Sequence, residues 1–307
     1  MGLRRYKWRK QIAFAGLVAL LFGACTRITP RLLNPKTGGG PTELTPERAL
    51  KTFTESCSDP SAPANVKQFI TVLQQALHTN DCDSTAGTLA SSTDLNLMGT
   101  GISDISLLSS NRSLAWAYLD GNVLSDVSPL AEDPSLKALY LDYNRISDLT
   151  QLTKFPNLVY LSLAFNPIVD VTPLGSLTHL KSLFLEGNKV TDISSLASLV
   201  SLEELHFDGN SIQNLSAISS LRSLKALSLD GNKITDVSAL AGLTGLEWLS
   251  LDNNQISDLS SLAGLSGLIA FSATSNTIVK DTAHCPTTAA SATLVEYCTA
   301  YLNGSTP

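Results

Sequence analysis

Basic residues are scarce in this chain. Its 307 residues hold 21 Lys and Arg against 27 Asp and Glu, a net charge of −6. A nucleic-acid partner needs a basic footprint, so that class is excluded. Histidine is rarer still, with His78, His179, His206 and His284 scattered along the sequence. There is no nucleophile elbow, phosphate-binding loop, dinucleotide fingerprint or His-Glu-x-x-His pair. No enzyme activity, cofactor or metal is therefore expected. Long apolar runs are missing too. The run IAFAGLVALLF has 11 residues, too short for a stable membrane span. Between Cys82 and Cys285 there is no cysteine.

What the chain has instead is a strict period. Asparagine stands at Asn122, Asn144, Asn166, Asn188, Asn210, Asn232, Asn254 and Asn276, always 22 residues apart, and Thr100 holds the slot before them. That makes nine copies, and periods of this size dictate architecture. Leucines recur three, five and eight residues before the asparagine, as Leu229, Leu227 and Leu224 do before Asn232. Two apolar residues two apart, with variable neighbours, form a short half-buried strand. Aliphatics also stand two and five residues after the asparagine, as Ile234 and Val237 do. One coil cannot bury all of these. Stacked coils can, which gives a solenoid with a continuous core.

Six residues after each asparagine slot stands Ser or Thr, followed by proline at Pro129 and Pro173. Ser/Thr then Pro is an N-cap followed by the first helical residue. The few residues left before the next strand suit a short 3₁₀ turn.

The unit resembles the leucine-rich repeat, in the 22-residue form of bacterial internalins. The resemblance spans residues 93–281. It implies an α/β solenoid, a curved right-handed coil with a parallel sheet on the concave face and 3₁₀ turns on the convex face. It also implies a stacked asparagine ladder, in which each amide satisfies backbone groups where strand turns into loop.

The flanks read differently. Residues 1–24 form a signal peptide with a basic start and a short apolar core. It ends in Gly23 and Ala24 before Cys25, which resembles the bacterial lipobox, with Phe22 where leucine is usual. The resemblance implies lipid on Cys25 at the mature N-terminus. Thr26 follows rather than Asp, which points to the outer membrane. Residues 25–44 carry prolines and three consecutive glycines and read as a tether. Residues 45–92 read as a helical N-terminal cap. Val66, Phe69, Ile70, Leu73 and Leu77 share one helical face there. Residues 282–307 read as a C-terminal cap.

Cys57, Cys82, Cys285 and Cys298 sit two in each cap. Four cysteines allow three pairings. The caps lie about 40 Å apart along nine stacked strands, while a disulfide needs Cα atoms within about 7 Å. Cys57–Cys82 and Cys285–Cys298 are the feasible pairs.

Two acidic columns remain. Asp104, Asp126, Asp148, Asp170, Asp192, Asp236 and Asp258 lie in the loop before the Ser/Thr slot, where Asp accepts backbone N–H bonds; Asn214 interrupts them. Asp120, Asp142, Glu186, Asp208, Asp230 and Asp252 alternate with the buried leucines and face the concave side, where they serve either the turns or a ligand. His206 shares that side with Glu204 and Asp208; a solvated polar strand face is preferred there over a metal. Ser228 also faces out, so Ser228→Ala is expected to cost under roughly 0.5 kcal/mol.

The same face is uneven. Trp116, Tyr118, Tyr140, Tyr160 and Phe184 occupy outward slots in the second to fifth copies, with Tyr143 and Phe165 at the rim. Later copies hold Ala and Ser, apart from Trp248. Clustered outward aromatics mark interaction sites. Trp116, Tyr118, Asp120, Tyr140, Asp142, Tyr160, Phe184 and Glu186 are the candidate binding residues. Without residues 1–24 the chain has 16 basic and 27 acidic residues, or −11, which favours a neutral or basic partner. The expectation is a monomeric, non-enzymatic protein-binding lipoprotein of the bacterial outer membrane, periplasmic or surface-exposed, touching the membrane only through its lipid. The alternatives are a structural envelope lipoprotein and a glycan-binding adhesion protein. Cys25→Ala is predicted to abolish acyl labelling and release the protein from membranes, as fractionation with labelled fatty acid will show.

Overall fold

The computed structural model describes residues 53–131 and 133–305. The segments expected as signal peptide and tether, Cys25 among them, and the start of the expected N-terminal cap lie outside them. Nine three-residue strands recur every 22 residues, from β1 (Asp94–Asn96) and β2 (Trp116–Tyr118) through β3 (Ala138–Tyr140), β4 (Tyr160–Ser162), β5 (Ser182–Phe184), β6 (Glu204–His206), β7 (Ala226–Ser228) and β8 (Trp248–Ser250) to β9 (Ala270–Ser272). They form one parallel sheet in sequence order. Each residue pairs with the one a full repeat later, as Leu161 does with Leu183. A slip by one residue would exchange the buried leucines for the outward residues.

The core runs unbroken from the N-terminal cap to the C-terminal one. The aliphatic slots read from the sequence are all in it. Two further columns close it on the convex side. One holds Leu108, Leu130, Leu152, Leu174, Leu196, Ile218, Leu240 and Leu262. The other runs from Phe155 and Leu177 to Leu265, and all these side chains are buried. The first two coils put Asn111 and Asp133 in that second column instead. Both stay buried because they take backbone N–H groups: Asn111 from Ser113 and Leu114, Asp133 from Leu114 and Ser135. Burial pushes the Asp133 carboxyl up, and those bonds oppose the shift.

The asparagines form the expected ladder. The Asn188 amide donates to Leu163 O and Leu185 O, both at 3.0 Å, and its Oδ1 accepts the Ile168 N–H at 3.1 Å. One side chain thus closes its own turn and ties it to the coil before. Thr100 can only donate to Leu97 O and meet Asn122 Oδ1.

The convex turns are 3₁₀, as at Thr172–Ser176 and Ser194–Ser198. The capping residue differs from expectation. The Ser or Thr is the first residue of each turn rather than its cap, and the residue before it, Val171 or Ile193, offers no side-chain cap. The aspartate two residues earlier accepts its N–H instead, Asp170 from Thr172 and Asp192 from Ser194, both at 2.8 Å. The aspartate wins because its longer side chain reaches two residues forward, which a hydroxyl cannot do as well. Asn214 keeps the geometry where the column changes residue, with Ser216 N at 2.8 Å.

Both ends are capped. Residues 53–58 are helical, followed by α1 (Ala64–Ala76) and α2 (Cys82–Ser91). Phe69, Ile70 and Leu73 of α1 are buried, with Val66 and Leu77 packed beside them. Asn65 donates to Asp104 of the first coil at 2.7 Å. Asp81 caps α2, and Cys57–Cys82 bridges the two ends of this cap. At the far end α3 (Ala292–Leu302) covers β9, with the Tyr297 ring edge-on to Phe271 at 4.9 Å. Cys285–Cys298 ties it down.

Asn188→Ala leaves the buried Ile168 N–H without its partner, while Leu163 O and Leu185 O keep the Asn166 and Asn210 amides as donors. At about 1–3 kcal/mol for the N–H left unsatisfied and about 0.5–1.5 kcal/mol for each of the two lost bonds to carbonyls, the loss should match that of a buried leucine truncated to alanine, about 2–5 kcal/mol. Denaturant unfolding of Asn188→Ala beside Leu227→Ala measures both.

Candidate functional site

The concave strand positions bring four of the five candidate aromatics together. Tyr118 stacks on Tyr140 at 4.7 Å, Tyr140 meets Tyr160 at 4.5 Å, Tyr160 meets Phe184 at 5.1 Å, and Phe184 stacks on His206 at 4.8 Å. The stack crosses β2 to β6 without a gap. Tyr160 joins it from a different slot. It opens β4, whereas the others close their strands, and the position across from Tyr140 is Ser162. The small serine leaves the space into which the Tyr160 ring leans. Among the described residues no ring contact joins Trp116 to the stack.

A second aromatic pair stands at the rim. Tyr143 and Phe165 lie parallel, 4.5 Å apart and 9° from coplanar. They are 46% and 40% exposed. Their backbones have φ of 55° and 56°, in the left-handed region. The same slot holds glycine at Gly99, Gly121, Gly187, Gly209 and Gly231, all with positive φ. A bulky side chain there costs about 1–2 kcal/mol. The Phe165 ring also requires its neighbour to be glycine, since a Cβ on Gly187 would sit 2.4 Å from it.

The concave acidic column proves to be built into the sheet. Asp120 Oδ1 accepts the Asp142 N–H at 2.8 Å. Asp142 in turn takes the Ser162 hydroxyl and the Ala164 N–H. Asp208 takes the Ser228 hydroxyl at 2.5 Å and the Asp230 N–H at 3.0 Å, and Asp230 and Asp252 repeat the pattern with Ser250 and Ser272. Each carboxylate brackets the following coil, so backbone donors stand between like charges. This corrects the expectation for Ser228, whose hydroxyl serves a carboxylate rather than solvent.

Glu186 departs from the column. It is one methylene longer, and the next coil offers His206 where Asp142, Asp208, Asp230 and Asp252 are offered serine. His206 Nε2 lies 3.1 Å from Glu204 Oε1. Glu186 Oε2 and His206 Nδ1 are both buried without a hydrogen-bond partner among the described residues. Ligating atoms of Glu186, His206 and Asp208 all fall within 4.8 Å of one another. The sequence pattern had joined His206 only to Glu204 and Asp208 on its own strand. Glu186 was missed because it comes from the neighbouring strand, and the in-register repeat was the signal that could have found it. Burial pushes the Glu186 carboxyl up to about 7, against the pull of the His206 ring. Burial with Asp208 alongside pushes Asp230 up to about 6. For His206 burial acts downward, but the Glu204 bond and the surrounding carboxylates carry it above its ordinary value.

Ser228→Ala removes a charge-assisted bond from Asp208 and should cost about 1–3 kcal/mol. A loss under roughly 0.5 kcal/mol in urea unfolding would return Ser228 to the ordinary surface.

Among the described residues no helix is long and apolar enough to cross a membrane. No curated protein matches the sequence. Family models for leucine-rich repeats match residues 134–176, 156–198, 178–234 and 214–256. Internalin C2 of Listeria monocytogenes is similar in structure, with 28% identity and a TM-score of 0.64, over 74% of this chain and 96% of that one. A second internalin of that organism, inlF, has 29% identity and a TM-score of 0.57, over 70% and 77%. A leucine-rich-repeat protein of Leptospira interrogans shares the fold at 21% identity and a TM-score of 0.56, over 73% and 68%. The chain carries leucine-rich repeats coiled into an internalin-like solenoid, with helices ahead of the first repeat.

Proposed function

We propose that the chain is a non-enzymatic protein-binding module, held at the bacterial envelope by lipid on Cys25 and recognising its partner with the concave sheet and its rim. Thr26 favours the outer membrane. The carrying observation is the pair Tyr143 and Phe165. Seven other copies fill that slot with Gly, Asn or Ser, so the fold has no need of rings there. Backbone strain of this kind persists where function requires it. Of the concave rings Trp116 and Tyr118 are half-buried and can meet a partner, whereas Tyr140, Tyr160 and Phe184 are buried, contrary to the expectation of outward rings, and support that surface from beneath. Aromatic anchors beside polar groups compose binding hot spots, and solenoids offer concave surfaces for binding. Asp120 and Asp142 place negative charge beneath this face although their oxygens are engaged within the sheet, while burial leaves Glu186 a weaker contributor; such charge suits a neutral or basic partner and sets on-rate more than affinity. The internalin resemblance supports the same reading.

The test separates binding from folding. Replacing Tyr143 and Phe165 with glycine relieves strain of about 1–2 kcal/mol each. It loses a ring stack of about 0.5–1.5 kcal/mol and adds chain entropy of about 0.5–1 kcal/mol per glycine. These nearly cancel. The double variant should melt close to wild type yet capture its envelope partner at least tenfold more weakly, as should Tyr118→Ala. Full capture by the double variant, with binding lost instead in Trp248→Ala, would move the interface to the C-terminal coils.

A further inference from the structure

We propose that Glu186, His206 and Asp208 form a binding site for one divalent transition-metal ion, with Zn²⁺ the best chemical match. The argument starts from hydrogen-bond accounting. His206 Nε2 is engaged by Glu204 Oε1 at 3.1 Å. A neutral imidazole carries one N–H, and a carboxylate can only accept. The proton therefore sits on Nε2, and Nδ1 presents a lone pair. His206 is 3% exposed, and this nitrogen has no partner among the described residues. Glu186 Oε2 is buried and equally unpartnered. With the ring neutral and Glu186 ionised, these are two buried acceptors with no donor between them, a pair that a bound cation satisfies.

The rest of the arrangement fits a metal. The ligating atoms of the three residues lie within 4.8 Å of one another. Zn²⁺ bound at about 2.0–2.2 Å in a tetrahedron holds its ligands roughly 3.3–3.5 Å apart, a closure that rotation of the long Glu186 side chain can supply. Imidazole selects transition metals over Mg²⁺ and Ca²⁺. The supporting contacts are those of a metal centre. Glu204 fixes the ring tautomer, Phe184 stacks on the ring at 4.8 Å, and Asp208 is oriented by the Ser228 hydroxyl and the Asp230 N–H. Such partners set ligand direction and basicity. Three protein ligands leave the fourth position open. Nothing in the repeat demands this set, because the histidine slot holds Ser228, Ser250 and Ser272 in the following coils.

The experiment is Zn²⁺ titration calorimetry on the oxidised full chain carrying no affinity tag. Wild type should take up one ion per chain. His206→Ser, which installs the residue of the following coils and should fold, removes uptake. Glu186→Gln and Glu204→Gln each weaken it at least tenfold, the first as a ligand and the second through the histidine. His284→Ala is the control, because the exposed His284–Asp281 pair, 2.8 Å apart, offers the other histidine–carboxylate pairing. Co²⁺ in the wild-type site should give tetrahedral visible bands that His206→Ser lacks. No uptake by wild type at 100-fold excess Zn²⁺ overturns the site. So does uptake that is unchanged in both His206→Ser and Glu186→Gln, or lost only in His284→Ala.

Discussion

Everything in this molecule hangs on the buried asparagine amide. A strand of three residues makes too few ladder bonds to hold its place, and parallel strands gain least per bond. The amide supplies what the strand lacks. It donates to carbonyls in two successive coils and accepts one N–H from the coil before. The leucines make stacking favourable and forbid a one-residue slip, but a slip by two would keep them inside. The amide fixes the register, since its donors and acceptor are satisfied only when coils superpose at 22 residues.

The concave carboxylates repeat this logic on the open side. Asp142, Asp208, Asp230 and Asp252 each take a backbone N–H and a hydroxyl from the next coil. Negative charges in adjacent strands would otherwise repel. The sheet is thus laced along two lines, one buried and one facing the concavity. The second line breaks at Ala164 and changes at Glu186, next to the aromatic stack. The regularity that builds the fold is relaxed where the candidate site lies.

Much of this was legible in the sequence because the repeat converts spacing into geometry. The 22-residue step gave the strands, the asparagine ladder and the distance between caps, and so the cysteine pairs. What was illegible depended on which atom reaches which. A Ser-Pro step looks the same whether the serine or the aspartate two residues earlier takes the N–H. Ser228 faces the concave side as read, but alternation along a strand says nothing about Asp208 one coil away. Tyr160 occupies a different slot from its stacking neighbours, and only the small Ser162 explains how it reaches them. Glu186 and His206 meet across strands, so a pattern read along one strand could not join them.

The left-handed position ahead of each asparagine has a consequence for how such a chain can change over time. That residue touches neither the leucine core nor the amide ladder. Glycine is the relaxed occupant, yet Tyr143, Phe165, Asn253 and Ser275 all hold the same turn. A gene that duplicates this unit therefore carries, in each copy, one codon that can sample side chains at the edge of the concavity, provided the next coil leaves room as Gly187 does for Phe165. The penalty is small and the architecture is untouched. New recognition can be acquired coil by coil, and a copy that reverts to glycine returns to a neutral spacer ready for another trial.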